Sequence, residues 1–389
     1  MRRLLPAVVL VGTAFLVAEL LPGSAPITQP LLWPFLLLIY GPGALLIRES
    51  VRRLDRGWAS ILLLGAAYGI VEEGLALQSL FNPSLYSAAD WGARIFGVNG
   101  VYAEAAIMIH AVWSAAVPIL FTDLLFPDSR AVPYLRRIGF VLTGIWYLLG
   151  VSLLAALTRL SIAPGYEAPP SHLAMAALVA LLLVVTALVV LPRNSARPKP
   201  AADAPQPRLV LLVTFTASVL WHALLAVLWR IEPAFADWPL FLVPVLGAMA
   251  VAASMDWGLR QWTARRGWND RHRLALVSGA VISHSLVGGI ILTKSIADRV
   301  GVGFLGLVLI VLLILFANRL RERVQHVSGA HPEGVEPPTH GSEVVLNSAI
   351  ASIRCDGASS SRVDAATRAA RGRNLGSEFS DKSDANGGK

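Results

Sequence analysis

The chain has 389 residues, of which 55 % are hydrophobic and 15 % charged, and its mean hydropathy is +0.60. Soluble domains carry about a quarter charged residues, so this composition excludes an ordinary soluble protein and predicts an integral membrane protein. The single cysteine, Cys355, excludes an intramolecular disulfide framework and a multi-cysteine metal site. The formal net charge of +8 would suit a nucleic-acid partner, but the placement of the basic residues favours another explanation.

The apolar blocks predict about ten transmembrane helices, each near the roughly 20 residues that cross a hydrocarbon core. Their approximate limits are 4–22, 31–47, 58–80, 101–126, 138–158, 171–191, 209–229, 238–256, 274–293 and 301–317. We therefore expect an all-α fold, a polytopic helical bundle whose main partner is the lipid bilayer.

Basic residues concentrate in alternate loops between these spans, as the positive-inside rule describes. They stand before the first span, between residues 48 and 56 after the second, and between residues 260 and 273 after the eighth. This pattern predicts a multi-pass protein of the plasma membrane with both termini cytoplasmic. It also accounts for the net charge, so no nucleic-acid partner is expected.

The order of segments predicts four regions. Residues 1–191 hold transmembrane helices 1–6, 192–208 form a Pro-rich basic cytoplasmic linker, 209–324 hold helices 7–10, and 325–389 form a disordered cytoplasmic tail. The first span also has the pattern of a signal peptide cleaved near Ala25, but its long apolar run and Glu19 favour an uncleaved helix. The sequence YGPG, from Tyr40 to Gly43, is expected to break the second span.

Several ionisable residues lie inside the predicted membrane spans. Glu72 and Glu73 are on the third span, His110 is on the fourth, and His222 and His284 are on the seventh and ninth. An isolated charge at the centre of a bilayer costs about 2.5–3.5 kcal/mol on insertion scales. These groups should therefore face protein or water rather than lipid.

Small residues beside one glutamate predict a close contact between helices. Gly65, Gly69 and Glu73 recur every four residues and so share one helix face. At the predicted cytoplasmic edge, by contrast, Arg48 and Glu49 need no special role, and Asp123 is expected to cap a helix end near the lipid headgroups.

The combination of glutamate and histidine can perform chemistry in a wet cavity within the membrane. The carboxylate can take a proton from water, and imidazoles can orient that water, stabilise an oxyanion or bind a metal. The candidate catalytic residues are Glu72, Glu73, His110 and His284, while any metal or cofactor is left open. The alternative interpretation is a buried hydrogen-bonded network that holds the helices together.

The stretch EEGLALQ, from Glu72 to Gln78, with His110 following, resembles the CAAX-processing and bacteriocin-processing (abortive-infection) membrane proteases. Those proteins pair an EExxxR motif with FxxxH on the next core helix and a later histidine motif. This sequence departs from the pattern at Leu77 and Ala106, which stand at the arginine and phenylalanine positions.

The resemblance implies an intramembrane endopeptidase. Glu72 would be its general base, Glu73 the neighbour of that base, His110 an oxyanion or water-positioning group, and His284 the later histidine. Two further functions remain open at this point. One is a proton- or cation-coupled transporter, suggested by five spans on each side of a central loop, and the other is a non-catalytic scaffold. The substrate would be a membrane peptide or a small ion.

Overall fold

The structure is a computed structural model that describes residues 4–193 and 202–329, with only the backbone described for residues 323–329. The described residues form nine helices that are long and apolar enough to cross a membrane, and one shorter apolar helix. These are α1 (Leu5–Leu20), α2 (Pro30–Arg53), α3 (Trp58–Ala76), α4 (Gly100–Leu125), α5 (Arg137–Ile162), α6 (Pro170–Val190), α7 (Pro207–Ile231), α8 (Leu242–Ala264), α9 (Asp270–Ile291) and α10 (Ile296–Glu322, continuing to Gly329).

The predicted helical membrane bundle is confirmed, and each predicted span has a counterpart among these helices. The one departure in length is α1, which is shorter than the other nine. Residues 194–201 of the predicted linker and residues 330–389 of the predicted tail lie outside the described residues. The linker's last two residues, Pro207 and Arg208, already belong to α7. The cytoplasmic orientation of the termini and the plasma-membrane location stay predictions.

The predicted break in the second span is wrong, because α2 continues through Pro42. Proline has no N–H group to donate to the carbonyl four residues earlier, which here is that of Leu38. Gly150 of α5 lies directly against this carbonyl, so that a Cβ atom at position 150 would come within 2.5 Å of the Leu38 oxygen. Neighbouring helices tolerate and support proline in this way within membrane bundles.

Helix α3 lies at the centre of the bundle, where it packs against α2, α4 and α6. Of its most apolar stretch, 67 % is buried, against 11 % for α5 and for α10. The predicted small-residue face is confirmed: a Cβ atom at Gly65 would lie 2.7 Å from the Ala111 Cα, and one at Gly69 would lie 2.9 Å from the His110 Cβ. These glycines let the backbones of α3 and α4 approach closely.

The expectation that Arg48 needs no special role is wrong, because its side chain is fully buried. Its Nε atom donates to Asp123 Oδ1 at 3.0 Å, and its terminal nitrogens donate to carbonyl groups of residues 129, 130 and 132. The ring of Tyr134 lies 3.2 Å from the guanidinium carbon. Asp123 also bonds Arg52 at 2.8 Å, so it is a buried ion-pair partner and not an exposed helix cap.

Glu49 also binds the connection between α4 and α5, the segment that contacts Arg48. Its carboxylate accepts hydrogen bonds from the backbone N–H groups of Tyr134 and Leu135, at 2.6 and 3.1 Å, and from Arg53 at 2.9 Å. Buried charges persist only where they are paired and hydrogen-bonded. The two neighbouring charges therefore fix the connection between α4 and α5 to the end of α2.

The segment between α3 and α4 is a folded loop. It contains a short antiparallel pair, β1 (Arg94–Ile95) and β2 (Val98–Asn99). Asn99 is fully buried and caps α4 by accepting a hydrogen bond from the Tyr102 N–H at 2.9 Å. Its amide nitrogen donates to the carbonyl of Gly92 at 2.8 Å. This loop fixes the start of α4 and so the position of Tyr102.

The contact between α3 and α4 can be tested at Gly69. We expect Gly69→Ala to destabilise the protein by about 1–3 kcal/mol, because the added methyl group overpacks against His110. The matched control is Gly144→Ala on α5, where an added Cβ atom meets nothing within 4 Å. Thermal unfolding of the two purified variants in detergent measures the difference. Equal midpoints would show that the close approach at Gly69 is not required.

Candidate functional site

Six of the described helices contain a π-helical segment, and in three of them the segment carries glutamate or histidine residues. These three segments are Leu16–Leu20 in α1, Val71–Ala76 in α3 and His110–Ala116 in α4. They carry Glu19, the pair Glu72 and Glu73, and His110, respectively. Such segments are rare and are frequent at functional sites, because the wider turn redirects side chains. Here they turn these groups toward one another in the interior of the bundle.

Glu73 is the most completely hydrogen-bonded member of this group. Its Oε1 atom lies 3.2 Å from Nε2 of His110, and its Oε2 atom accepts a hydrogen bond from the Tyr102 hydroxyl at 2.9 Å. The Ser79 hydroxyl donates a short hydrogen bond to the same Oε2 atom. Both carboxylate oxygens are thus occupied by protein groups.

A sharp turn at the end of α3 makes the serine contact possible. Gln78 adopts a left-handed backbone conformation with φ of 57°, which reverses the chain and returns Ser79 to the level of Glu73. The Gln78 side chain accepts a hydrogen bond from the Ala168 N–H at 2.7 Å, which fixes the turn to the segment before α6. The turn at the end of the EEGLALQ stretch therefore places the Ser79 hydroxyl as a hydrogen-bond donor to Glu73.

Glu72 has a different environment, because only one of its two oxygens is bonded. Oε1 accepts a hydrogen bond from the Tyr40 hydroxyl at 2.8 Å. Oε2 is buried and has no hydrogen-bond partner among the described residues, and it lies 3.8 Å from Nδ1 of His110. That separation is too long for a direct hydrogen bond, and a water molecule is the usual bridge across such a gap.

His110 connects the two glutamates. It is 3 % exposed, with Nε2 toward Glu73 and Nδ1 toward both Glu72 and the Ser114 hydroxyl, which is 3.3 Å away. Tyr40 stacks on the imidazole at 5.9 Å between ring centroids, and Tyr68 meets it edge-on at 5.1 Å. The ring is therefore held from two sides as well as by its hydrogen bonds.

His284 is not joined to this centre. Its Nδ1 atom lies 3.1 Å from Nε2 of His222, which links α9 to α7. Trp113 stacks on His284 at 4.8 Å and donates its indole N–H to the Ala280 carbonyl at 2.9 Å. Of the four predicted catalytic residues, the structure thus brings three together and places the fourth in a separate histidine pair.

Sequence reasoning missed the tyrosines and the serine that complete the centre. Tyr40 lies in the stretch expected to break α2, and Tyr102 lies eight residues before His110 on α4, a spacing that places both on neighbouring faces of the helix. A tyrosine within an apolar span is a weak signal, because its ring is compatible with lipid and protein alike. Glu19 was not among the candidate residues either, and it is half-buried beside Tyr40.

Metal binding is not supported by the geometry of the described residues. No group of three or more histidine, cysteine or acidic residues in that part of the chain could hold a metal ion. What the centre offers is a fixed imidazole with the Glu73 carboxylate 3.2 Å from Nε2 and the Glu72 carboxylate 3.8 Å from Nδ1. That arrangement is suited to holding and moving protons.

The unequal bonding of the glutamates predicts unequal effects of substitution. Glu73→Gln leaves one acceptor where three donors converge, and we expect a loss of about 1–3 kcal/mol of unfolding free energy. Glu72→Gln keeps an oxygen for Tyr40 and removes a charge that lacks a second partner, so stability should be unchanged or higher. Thermal unfolding in detergent compares the two. Equal losses would indicate a purely structural network.

Comparison with known proteins gives a family and no closer relative. No curated protein and no solved structure matches the chain. A family model described as an uncharacterized membrane protein family matches residues 8–316, and it lends no support to the resemblance to CAAX-processing proteases. Since the matched residues make up most of the chain and include every residue of the centre, the protein belongs to this uncharacterized membrane protein family.

Proposed function

We propose that the protein is a membrane-embedded hydrolase in which Glu72 and His110 activate a water molecule. The observation that carries this proposal is the buried, unpartnered Oε2 atom of Glu72, held 3.8 Å from Nδ1 of His110. A structural network would be expected to satisfy each of its buried oxygens, because an unpaired one costs free energy. A catalytic base needs a free acceptor beside a group that orients water. Glu104 Oε2 is also buried without a partner among the described residues, but only Glu72 Oε2 lies next to His110.

The hydrogen bonds determine how a water molecule would be held. An ionised Glu73 can only accept, so Nε2 of His110 carries the hydrogen and Nδ1 is left as an acceptor. A water between Nδ1 and Glu72 Oε2 would then donate one hydrogen to Oε2 and the other to Nδ1, where it would replace the Ser114 hydroxyl that lies 3.3 Å from this nitrogen. Its lone pair would point away from both acceptors, toward any carbonyl carbon presented to the centre. Tyr40 fixes the base, and Glu73 fixes the imidazole.

The reaction follows from that arrangement. The water oxygen bonds to the carbonyl carbon of an amide as Glu72 takes the proton, which gives a tetrahedral oxyanion. Collapse of this intermediate breaks the carbon–nitrogen bond, and the proton returns from Glu72 to the leaving amine. The products are a carboxylic acid and an amine, so the balance requires only water. A peptide within the bilayer is the substrate class that agrees with the position of the centre in the membrane.

A second candidate is a proton-coupled transporter. The observation that favours it is a series of exchangeable groups on three helices, from Glu19 beside Tyr40, through Glu72 and His110, to Glu73. Such a series could bind and release protons during transport. The free oxygen of Glu72 would then be a proton-binding site.

Hydrolysis can be tested before the substrate is known. Membranes from cells that produce the protein are incubated in oxygen-18 water, and mass spectrometry maps new carboxyl termini that carry the label. We expect labelled termini with the wild-type chain, and their yield should fall about 10²–10⁴-fold for Glu72→Gln, the range that general base catalysis provides. Glu104→Gln on α4 is the matched control, because the Oε2 atom of that half-buried carboxylate also has no partner among the described residues, while no hydrogen bond joins Glu104 to the centre.

The outcomes separate the two candidates. Label incorporation that persists in Glu72→Gln would contradict the hydrolase. If no labelled termini form, but reconstituted vesicles take up protons with the wild-type chain and not with Glu72→Gln, the transporter is the better account.

A further inference from the structure

A groove on the side of the bundle, far along the chain from the glutamates, has the chemistry of a lipid site. It lies between α7, α9 and α10 and has a volume of about 630 Å³. Arg208, Arg271 and Arg321 line one end of it. Its remaining length is lined mainly by aliphatic side chains, among them Leu211, Leu274, Ile282, Ile310 and Ile314. The groove is therefore cationic at one end and apolar along the rest.

The helices place the three arginines at one level. Arg208 is the second residue of α7, Arg271 the second residue of α9, and Arg321 lies at the end of the apolar part of α10. Along α9 the groove runs from Arg271 to Ile282, and along α10 from Arg321 to Ile310. Each stretch spans about 16 Å at 1.5 Å per residue. This depth is close to half of the roughly 30 Å hydrocarbon core, which is the reach of one leaflet.

The charges at the mouth of the groove are not neutralised by neighbouring carboxylates of the described residues. None of the three arginines forms an ion pair there, and no acidic residue lines the groove. The adjacent Asp270 is already bonded to Arg130 and Arg273, at 2.9 and 2.7 Å. The hydroxyl of Ser278 in the groove wall donates to the Leu274 carbonyl at 2.8 Å, which leaves Gln206 as the uncharged polar side chain that can still donate to a ligand.

We propose that this groove binds one anionic phospholipid, with its phosphate on the three arginines and an acyl chain against the aliphatic wall. Arginine matches a phosphate with paired donors, and basic sites between transmembrane helices bind anionic headgroups in general. A zwitterionic lipid would place its own cation among the arginines and is disfavoured. Binding at this surface does not depend on hydrolysis at Glu72.

Native mass spectrometry of the full chain in detergent tests the proposal. The protein is titrated with phosphatidylglycerol or with phosphatidylcholine of the same acyl chains, and the retained lipids are counted. We expect the first phosphatidylglycerol to bind at least ten-fold more tightly than phosphatidylcholine. In the triple variant Arg208→Gln, Arg271→Gln, Arg321→Gln this preference should disappear, because each arginine near an anionic headgroup contributes a factor of about five.

A control variant distinguishes lipid binding in the groove from non-specific attraction of the lipid to nearby basic residues. Arg319 lies on α10 two residues before Arg321, is exposed, and does not line the groove. Arg319→Gln should bind phosphatidylglycerol as the wild type does. The single variant Arg321→Gln should lose about five-fold in affinity. Equal affinity for the two lipids, an unaffected triple variant, or a loss in Arg319→Gln as large as that in the single variant Arg321→Gln would each overturn the proposal.

A second variant tests the apolar part of the groove independently of charge. Ile282→Trp fills its deep end, so affinity for a long-chain phosphatidylglycerol should fall, while that for a six-carbon-chain analogue should not. Ile290→Trp is the control, because Ile290 is 67 % exposed on the same helix and lies outside the groove. If Ile282→Trp has no effect, or if phosphatidylglycerol binds only after residues 330–389 are removed, the lipid does not occupy the groove of the full chain.

Discussion

The contact between Glu73 and His110 determines how the centre of this bundle is built. A carboxylate in the membrane interior must be surrounded by donors, because an isolated charge there is expensive. Its 3.2 Å approach to the imidazole requires α3 and α4 to lie unusually close, which Gly65 and Gly69 permit. The π-helical turns in both helices then direct the two side chains to each other.

The hydrogen bonds that surround Glu73 leave the carboxylate of Glu72 with fewer partners. Glu73 takes the hydrogen bonds of Tyr102, Ser79 and His110, and Glu72 is left with Tyr40 alone. A protein selected only for stability would be expected to avoid a buried oxygen without a partner. This asymmetry between two adjacent residues is the physical basis for the proposal that Glu73 positions His110 and Glu72 is the base.

The parts of the fold that depend on residue type and spacing were predictable from the sequence. Long apolar blocks predict the helices, and the four-residue repeat of Gly65, Gly69 and Glu73 predicts the α3–α4 contact, because both patterns act within single helices. The grouping of side chains from different helices was not predictable. His284 resembles His110 in that each lies within an apolar span with serine close in sequence, yet His284 pairs with His222, and the choice depends on how α7, α9 and α4 are arranged.

The surroundings of an arginine were equally hard to predict from the sequence. Arg48 and Arg208 both follow apolar or proline-rich sequence and look equivalent in a topology argument. The first is fully buried with Asp123 and the loop carbonyls, while the second is exposed at the mouth of an apolar groove. Pro42 is a further case, because its effect on α2 depends on Gly150 of another helix.

The most direct test of the central claim is a high-resolution structure of the protein in a lipid nanodisc, in which ordered water near Glu72 can be seen. The account predicts a water molecule within hydrogen-bonding distance of both Glu72 Oε2 and His110 Nδ1, with those two atoms close to the 3.8 Å observed here. A direct hydrogen bond from the Tyr68 hydroxyl or from His110 to Oε2, with no water between them, would contradict it. The two glutamates would then be parts of a structural network.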